Sequence, residues 1–586
     1  MAKLVRYIAL IAVLGAIAMV VFTCTRPSPF PAPKNDPWKL FSLDPDNAHG
    51  TYLGNGYIST RVMGDGVGSQ DGKPLPCFMA GHYKDEKLVP IPTWSDLRFS
   101  VDGEQMRLDK KAPYRQTLDM KSGLLITEGT WRAGRKRMSG RIVVFASRAC
   151  ENLGVVRVEM TPRFSGELRT FSPMVSSDTD TACQLLPFIG LGGNGLNKWS
   201  EGGATEHNIP LVKSSPFHVT LYVSIGKADG TPERAMASVY SATTARECSL
   251  TPDEAYKNVL EDHVSAWAKL WAKDIVIEGS PKDQQAIHSC MFYLLSSAMP
   301  HDFSKPASKA WSIPPMGLSN TSFNGHIFWD ADVWMFPALI LQHPSLAASI
   351  VQYRYDTLTG AFANAREAGE SGARYAWESG YSGIEDAPVG IAYREERHIN
   401  GDVALAQWQY FLATGDLNWL KTCGLPVLSA TADYWAARAV FVKEMNRYEI
   451  RQVVPPDENA GLVDNSVYTN AIAKMNLEFA TKAAQLCGVA PKPEWAKVAL
   501  GMYIPIDENA NRFVIYDNDK DRGIKQSDAE LLAFPLQFTL PGSDMSKFYG
   551  NTLNHYAPKI ITNGPAMTKS VHAVVAARLG QTEQAY

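Results

Sequence analysis

Four segments of the chain concentrate carboxylates, indoles and amides at short spacing. They are Gly325-His-Ile-Phe-Trp-Asp-Ala-Asp-Val-Trp-Met-Phe-Pro337, Ala376-Trp-Glu-Ser-Gly-Tyr-Ser-Gly-Ile-Glu385, Pro456-Asp-Glu-Asn-Ala-Gly-Leu-Val-Asp-Asn-Ser-Val-Tyr-Thr-Asn470 and Lys525-Gln-Ser-Asp528. A positioned carboxylic acid can protonate a departing oxygen. An ionised carboxylate accepts hydrogen bonds from hydroxyls, and an indole covers an apolar ring face. Glu458, the Trp329-Asp330 pair and the Lys525-Gln526 pair offer these functions. Each short pattern also has a plain structural reading: Asp457-Glu458 as a solvated turn, Trp329 and Trp334 as core at a helix rim, Lys525-Gln526 as surface. For Trp334 the core reading is preferred. The stretch Pro505-Ile-Asp-Glu-Asn509 shows how readily the acidic pattern recurs, there without the flanking Asn465, Tyr468 and Asn470.

Such residues need a frame, and the chain supplies two kinds. At 586 residues it exceeds one ordinary core, since a domain takes about 100 to 200 residues. From Lys39 to about residue 250, short alternating runs such as Leu124-Leu-Ile-Thr-Glu-Gly-Thr-Trp, Arg141-Ile-Val-Val-Phe-Ala and Phe217-His-Val-Thr-Leu-Tyr-Val-Ser-Ile predict an antiparallel β-sandwich over 39–250. Thr251-Pro-Asp-Glu-Ala opens a helical period through Val259, His263, Trp267 and Leu270, which predicts a helical linker over 251–281. Over 282–586 the period is helical nearly throughout, as in Ile287, Met291, Leu294 and in Val427, Ala430, Tyr434, Ala437. The candidate residues all fall in the long loops between those helices, where binding and catalysis are usually carried.

Composition narrows the partners. Lys plus Arg is 57 against 60 for Asp plus Glu, and a net charge of -3 gives no basic field for nucleic acid. The 14 Trp and 23 Tyr suit sugar faces but serve equally as core. Lys3 and Arg6 precede an apolar run from Ile8 to Phe22, followed by Thr23, Cys24 and a Pro-rich stretch over 25–38. This is an export signal over 1–24, cleaved or retained as a membrane anchor, with Cys24 open to lipidation, and it puts the remaining chain outside the cytoplasm. Cys77, Cys150, Cys183, Cys248, Cys290, Cys423 and Cys487 are scattered without a C-x-x-C pair, against a zinc site or a dense disulfide framework. No metal and no organic cofactor is implied.

Taken together and in order, the four segments resemble glycoside hydrolase family 65, which includes maltose and kojibiose phosphorylases, acid trehalases and hydrolases of glucosyl-α-1,2 linkages. The resemblance begins at Gly54-Asn-Gly-Tyr-Ile-Ser-Thr-Arg61, passes through Glu396-Arg-His398 and Thr414-Gly-Asp416, and covers nearly the whole chain after the leader. It implies a multidomain α+β protein: an N-terminal β-sandwich, a helical linker and a six-hairpin α/α barrel, incomplete at the C-terminus. It implies that Glu458 is the general acid, with Asn459 replacing the usual aromatic after it. It implies further that Trp329, Asp330, Lys525 and Gln526 bind the non-reducing glucose of an α-glucoside, with Ser527 in place of the family's Ala. Glu378, Glu385, Glu396 and His398 are expected around that shell, either supporting it or touching substrate.

The resemblance leaves the nucleophile to be chosen. In the family's phosphorylases a Gly-Ser-Ser run followed by a His holds phosphate. The matching stretch here is Asn563-Gly-Pro-Ala-Met-Thr568, in which Pro565 removes a donor where Ser would add a hydroxyl. Hydrolysis is therefore the preferred reading and phosphorolysis the alternative, with His572 as the signal in its favour. The family's general base lies in a segment beyond the point matched by Tyr586, so the expectation is a fragment of a longer product, and Glu583 is not promoted to that role. A third reading is an inactive sugar-binding relative. Oligomeric state is not legible.

Overall fold

The computed structural model describes residues 36–586 apart from 47–49, 71–72, 172–182, 194–195, 201–205, 228–250, 304–309, 389, 391–393 and 520–521. The expected leader and Pro-rich stretch fall almost wholly outside the described residues. Among the described residues no helix is long and apolar enough to cross a membrane.

The chain divides into two compact units, one from Met1–Met79 and Pro90–Ser296, the other from Ala80–Val89 and Ser297–Tyr586. The first is built on a nine-stranded antiparallel sheet and a four-stranded one. Strand Leu124–Ala133 shows why the alternating runs behave as they do: its residues are buried and half-buried in turn, with period two. Cross-strand partners Leu125↔Val144 and Val144↔Val156 then put apolar residues on the same face. Val143, Phe145, Leu153, Val155 and Tyr222 form a core cluster, and Val259 and Leu260 of helix α1 (Pro252–Trp271) pack on it. Thr251 and Glu254 close a reciprocal cap at the start of α1, with Pro252 in the first turn where its missing N–H costs nothing.

The expected boundary at 282 shifts. Helix α2 (Pro281–Ser297) packs with the first unit almost to its end, because Phe292 stacks on Trp267 at 5.0 Å and His288 on Trp38 at 3.5 Å. Conversely, residues 80–89 leave the strand-rich unit. Their hairpin is held in the second unit by Tyr83 Oη donating to Gly325 O at 2.7 Å and by Ser382 N–H donating to Glu86 at 3.1 Å.

The second unit is helical. Its inner helices are α3 (Pro344–Asp356), α4 (Ile399–Thr414), α5 (Leu425–Arg438) and α6 (Val467–Leu486). Helix α4 is buried from Ile399 through Trp408 and touches α3, α5 and α6. It therefore has no polar face, as expected for a helix enclosed on all sides. It ends on Gly415 at φ 65°, the left-handed cap that glycine adopts without a Cβ penalty. Asp416 caps the next turn by accepting from Trp419 N–H at 2.9 Å. Further along the chain, α7 (Met545–Tyr556) and α8 (Met567–Arg578) flank the loop that carries residues 563–566, and α8 itself begins with Met567 and Thr568.

Candidate active site

The backbone places the acidic turn first. Glu458 opens a single 3₁₀ turn, Glu458–Ala460, that follows the buried Asp457. Asp457 accepts from Lys525 N–H at 2.9 Å and from Arg522 at 2.9 Å, while Gln526 donates its side-chain amide to Pro456 O. These bonds tie the Pro-Asp-Glu turn to the Lys-Gln-Ser-Asp loop, 67 to 70 residues away in the chain. At the front of this seam the Lys525 ammonium pairs with the Glu458 carboxylate, and both side chains keep partial access to solvent, 35% and 26%. Behind it Asp528 is fully buried, and its carboxyl is held well above the usual range by burial and by the Asp457 charge.

Trp329 and Asp330 lie at the edge of a π-helical turn, Ala331–Met335, a wide turn of the kind found at functional sites. An interior ion pair holds this turn. Arg354 of α3 reaches Asp332 at 2.5 Å and donates to Phe328 O at 3.0 Å, with both charged side chains nearly inaccessible. Burial pushes the neighbouring Asp330 carboxyl up to about 6, and the Asp332 and Glu458 charges add to the rise. The influence of Glu458 there puts Asp330 in the same electrostatic neighbourhood as the acidic turn. The Trp329 ring meets His398 at 4.8 Å, Tyr468 at 6.2 Å, Trp377 at 6.2 Å and Trp334 at 5.4 Å. Trp334 is half-buried against it, in keeping with packing.

The four outer candidates divide. Glu385 accepts the backbone N–H groups of Trp377, Glu378 and Ala387 at 2.9, 3.2 and 3.3 Å, so it organises its own loop. Glu378 pairs with the buried His326 at 3.0 Å. Glu396 and His398 lie deeper, at the start of α4. His398 Nδ1 is 2.7 Å from Asp402, and Asp402 also accepts from the Tyr468 hydroxyl at 2.6 Å. Burial works against a charge on His398, yet Asp402 and Glu396 lift it to about 9. Burial raises Glu396 to about 8, with Glu458 adding and His398 and Lys525 opposing.

The loop expected to decide the nucleophile lies against Lys525. A Cβ on Gly564 would fall 2.1 Å from Lys525 O, so no side chain fits there. The Thr568 hydroxyl accepts from Ser527 N–H at 3.2 Å, and His572 sits 3.0 Å from the buried Glu530. A separate cavity of about 760 Å³ on the sheet of the first unit is lined by Glu128, Arg141, Glu159 and His218 among others, and holds none of the residues singled out above.

Sequence reasoning missed Asp402, Arg522 and the Asp332–Arg354 pair. His398 and Asp402 were findable, since a His and an Asp four apart on a helix share a face. Arg354 gave no such signal, being 22 residues from its partner with no periodic relation to it.

A strand-rich unit and a helical unit whose loops carry a partly accessible carboxyl paired with an ammonium, beside buried carboxyls and an indole, fit the class of glycoside hydrolases. The chain belongs to glycosyl hydrolase family 65: residues 47–185 match the family's N-terminal domain and residues 291–522 its central catalytic domain. It is 40% identical to a kojibiose hydrolase of Flavobacterium johnsoniae across 94% of this chain and 84% of that one. It is 38% identical to a protein-glucosylgalactosylhydroxylysine glucosidase of Danio rerio, across 55% of this chain and 50% of that protein. A kojibiose phosphorylase of Thermoanaerobacter brockii is 27% identical across 81% of this chain and 71% of its own. Among solved structures, a putative kojibiose phosphorylase from the human microbiome superposes with a TM-score of 0.78 at 17% identity, covering 94% of this chain and 84% of that one.

Proposed function

We propose that the protein hydrolyses α-glucosidic bonds in disaccharides or glucosylated glycans by single displacement, with Glu458 as the general acid. The observation that carries this reading is the position of Glu458: a partly accessible carboxyl, paired with Lys525, on the turn that follows the buried Asp457, which is itself hydrogen-bonded to the buried Asp528. A leaving glycosidic oxygen needs a proton, and only a group in contact with it can supply one. Asp330 accepts sugar hydroxyls, Trp329 covers the ring, and Lys525 and Gln526 donate to the same glucose. The hydrolase relative at 40% identity supports the α-glucoside as substrate. The helical unit is read as part of an α/α barrel that follows a β-sandwich in the chain, and the protein as exported on the strength of the run from Lys3 to Phe22.

Water is the nucleophile in this reading. Pro565 offers no N–H, Gly564 has no room for a hydroxyl-bearing side chain, and His572 faces Glu530. Free glucose from kojibiose is therefore expected at the same rate with and without inorganic phosphate. Accumulation of β-glucose 1-phosphate in phosphate buffer overturns this choice and makes the enzyme a phosphorylase, with His572 as a phosphate ligand.

A further inference from the structure

The solvent-facing side of the first unit's large sheet carries three neighbouring rows of polar side chains. Strand register puts Arg115, Glu128, Arg141, Glu159 and His218 next to one another across five strands. Charges in this row are matched: Arg115 meets Glu128 at 2.6 Å, Arg141 meets Glu159 at 2.6 Å, and Arg157 reaches Glu159 at 3.2 Å. Two residues along the strands, and so on the same face, stand the hydroxyls of Thr130, Ser139 and Thr161. Two residues further the charges no longer alternate. Arg107 faces Arg132, Arg132 faces Arg137, and Arg163 follows beside Arg137, joined to it by a backbone hydrogen bond of 2.8 Å. Like charges directly opposite one another on a sheet are destabilising, so this row works against the fold. Its nearest carboxylate is the buried Asp109, 3.7 Å from Arg132 and 3.6 Å from Arg137, too far for a good hydrogen bond. Among the described residues Arg107 has no ion pair, and Arg163 has only a long bond to Ser139 Oγ at 3.5 Å.

The hydroxyl row and Arg163 line the cavity of about 760 Å³ on this sheet, and the other arginines continue along the same edge. We propose that this face binds an acidic polysaccharide, a glycan whose sugar units carry carboxylates. Such a chain supplies the anions that the arginine row lacks: a guanidinium fork holds a carboxylate by two parallel hydrogen bonds. Its hydroxyls can exchange hydrogen bonds with Thr130, Ser139 and Thr161. A single small anion would leave most of the cavity empty. Nucleic acid fits less well, since it is held by a uniformly basic groove with exposed rings for its bases. Here Glu128 and Glu159 also line the cavity, and its one phenyl ring, Phe217, is 2% exposed. The lack of an exposed ring also argues against a neutral glycan held by stacking on its apolar faces. Glu458 belongs to the other unit, and this inference does not depend on its role.

Polygalacturonate, titrated into the full chain by calorimetry, is the probe. Its binding should weaken as salt rises from about 0.05 M to about 0.5 M, because mobile ions screen exposed guanidinium groups. Fully methyl-esterified polygalacturonate keeps the sugar chain but not its charges, and should not bind measurably. Arg107→Gln combined with Arg163→Gln removes half of the row and leaves both contacts of Asp109 in place, so the melting temperature should hold. The affinity of this variant for polygalacturonate should fall by about tenfold or more, the effect of losing at least one charge-assisted hydrogen bond. Failure of polygalacturonate to bind at low salt overturns the proposal, as does an unchanged affinity in the double variant. Equal binding of the esterified polymer would show that carboxylates are not recognised. Tighter binding of double-stranded DNA would make the face a general polyanion surface, and either result overturns the assignment. The salt series and the ester comparison use the unaltered protein, so they decide the question whatever the stability of the variant.

Discussion

Glu458→Gln is expected to lower turnover of an α-glucosyl disaccharide by about 100-fold to 10,000-fold, the range for losing an acid–base group. The substitution keeps the shape of the side chain and removes only its proton and its charge. Lys525 loses its partner, but both groups are partly solvated, and an exposed pair contributes about 0 to 1 kcal/mol, so the fold should survive. Substrate binding measured by calorimetry should change little. The loss should depend on the leaving group: α-glucosyl fluoride, whose fluoride departs without protonation, should suffer far less than kojibiose. Equal losses on both substrates would show that Glu458 does something other than deliver a proton.

Arg354→Met should destabilise the second unit by about 3 to 5 kcal/mol, because it leaves the Asp332 carboxylate uncompensated in the interior. The Arg354 and Asp332 side chains are 1% and 0% exposed, so water cannot replace the lost partner. The Arg354 bond to Phe328 O would vanish too, and with it one fixed point of the segment bearing Trp329 and Asp330. A fall in kcat/KM should therefore accompany the fall in stability, although Arg354 touches no candidate binding residue in any hydrogen bond given above. Denaturant titration of the variant measures the first effect. A loss under about 1 kcal/mol would mean that the pair is solvated in solution. The double variant Asp332→Leu with Arg354→Met should recover part of the stability, since a buried ion pair can often be replaced by apolar groups of similar volume.

How much of this was legible in the chain differs by residue. Strand Leu124–Ala133 could be read directly, since its burial follows the alternation of its side chains. The helices could be read where one face is apolar. Helix α4 could be read as helical from the spacing of Ala404, Trp408 and Phe411, but its burial on nearly all sides left no polar face to show how it is oriented. Glu458, Asp330, Lys525 and Gln526 were findable by the company their motifs keep. Their meeting is a tertiary fact: Asp457 bonds to Lys525 across 68 residues, and no local pattern encodes that distance. The transfer of residues 80–89 to the helical unit was hidden for the same reason. A short hairpin carries its own turn signal, but its anchors at Gly325 and Ser382 lie more than 240 residues on. His398 and Asp402 shared a helix face in plain sight. What the spacing did not reveal was the buried Glu396 beside them, whose carboxyl accepts no hydrogen bond among the described residues and lies 3.8 Å from His398.

The central claim is that water displaces the leaving sugar in one step while Glu458 protonates the departing oxygen. Proton NMR of a fresh kojibiose digest tests it most directly. Single displacement from the opposite face inverts the anomeric centre, so the cleaved non-reducing unit should appear as β-glucose, an early excess of β over the anomeric mixture contributed by the reducing-end glucose that decays by mutarotation. α-Glucose as the first-formed product of the cleaved unit would contradict the account.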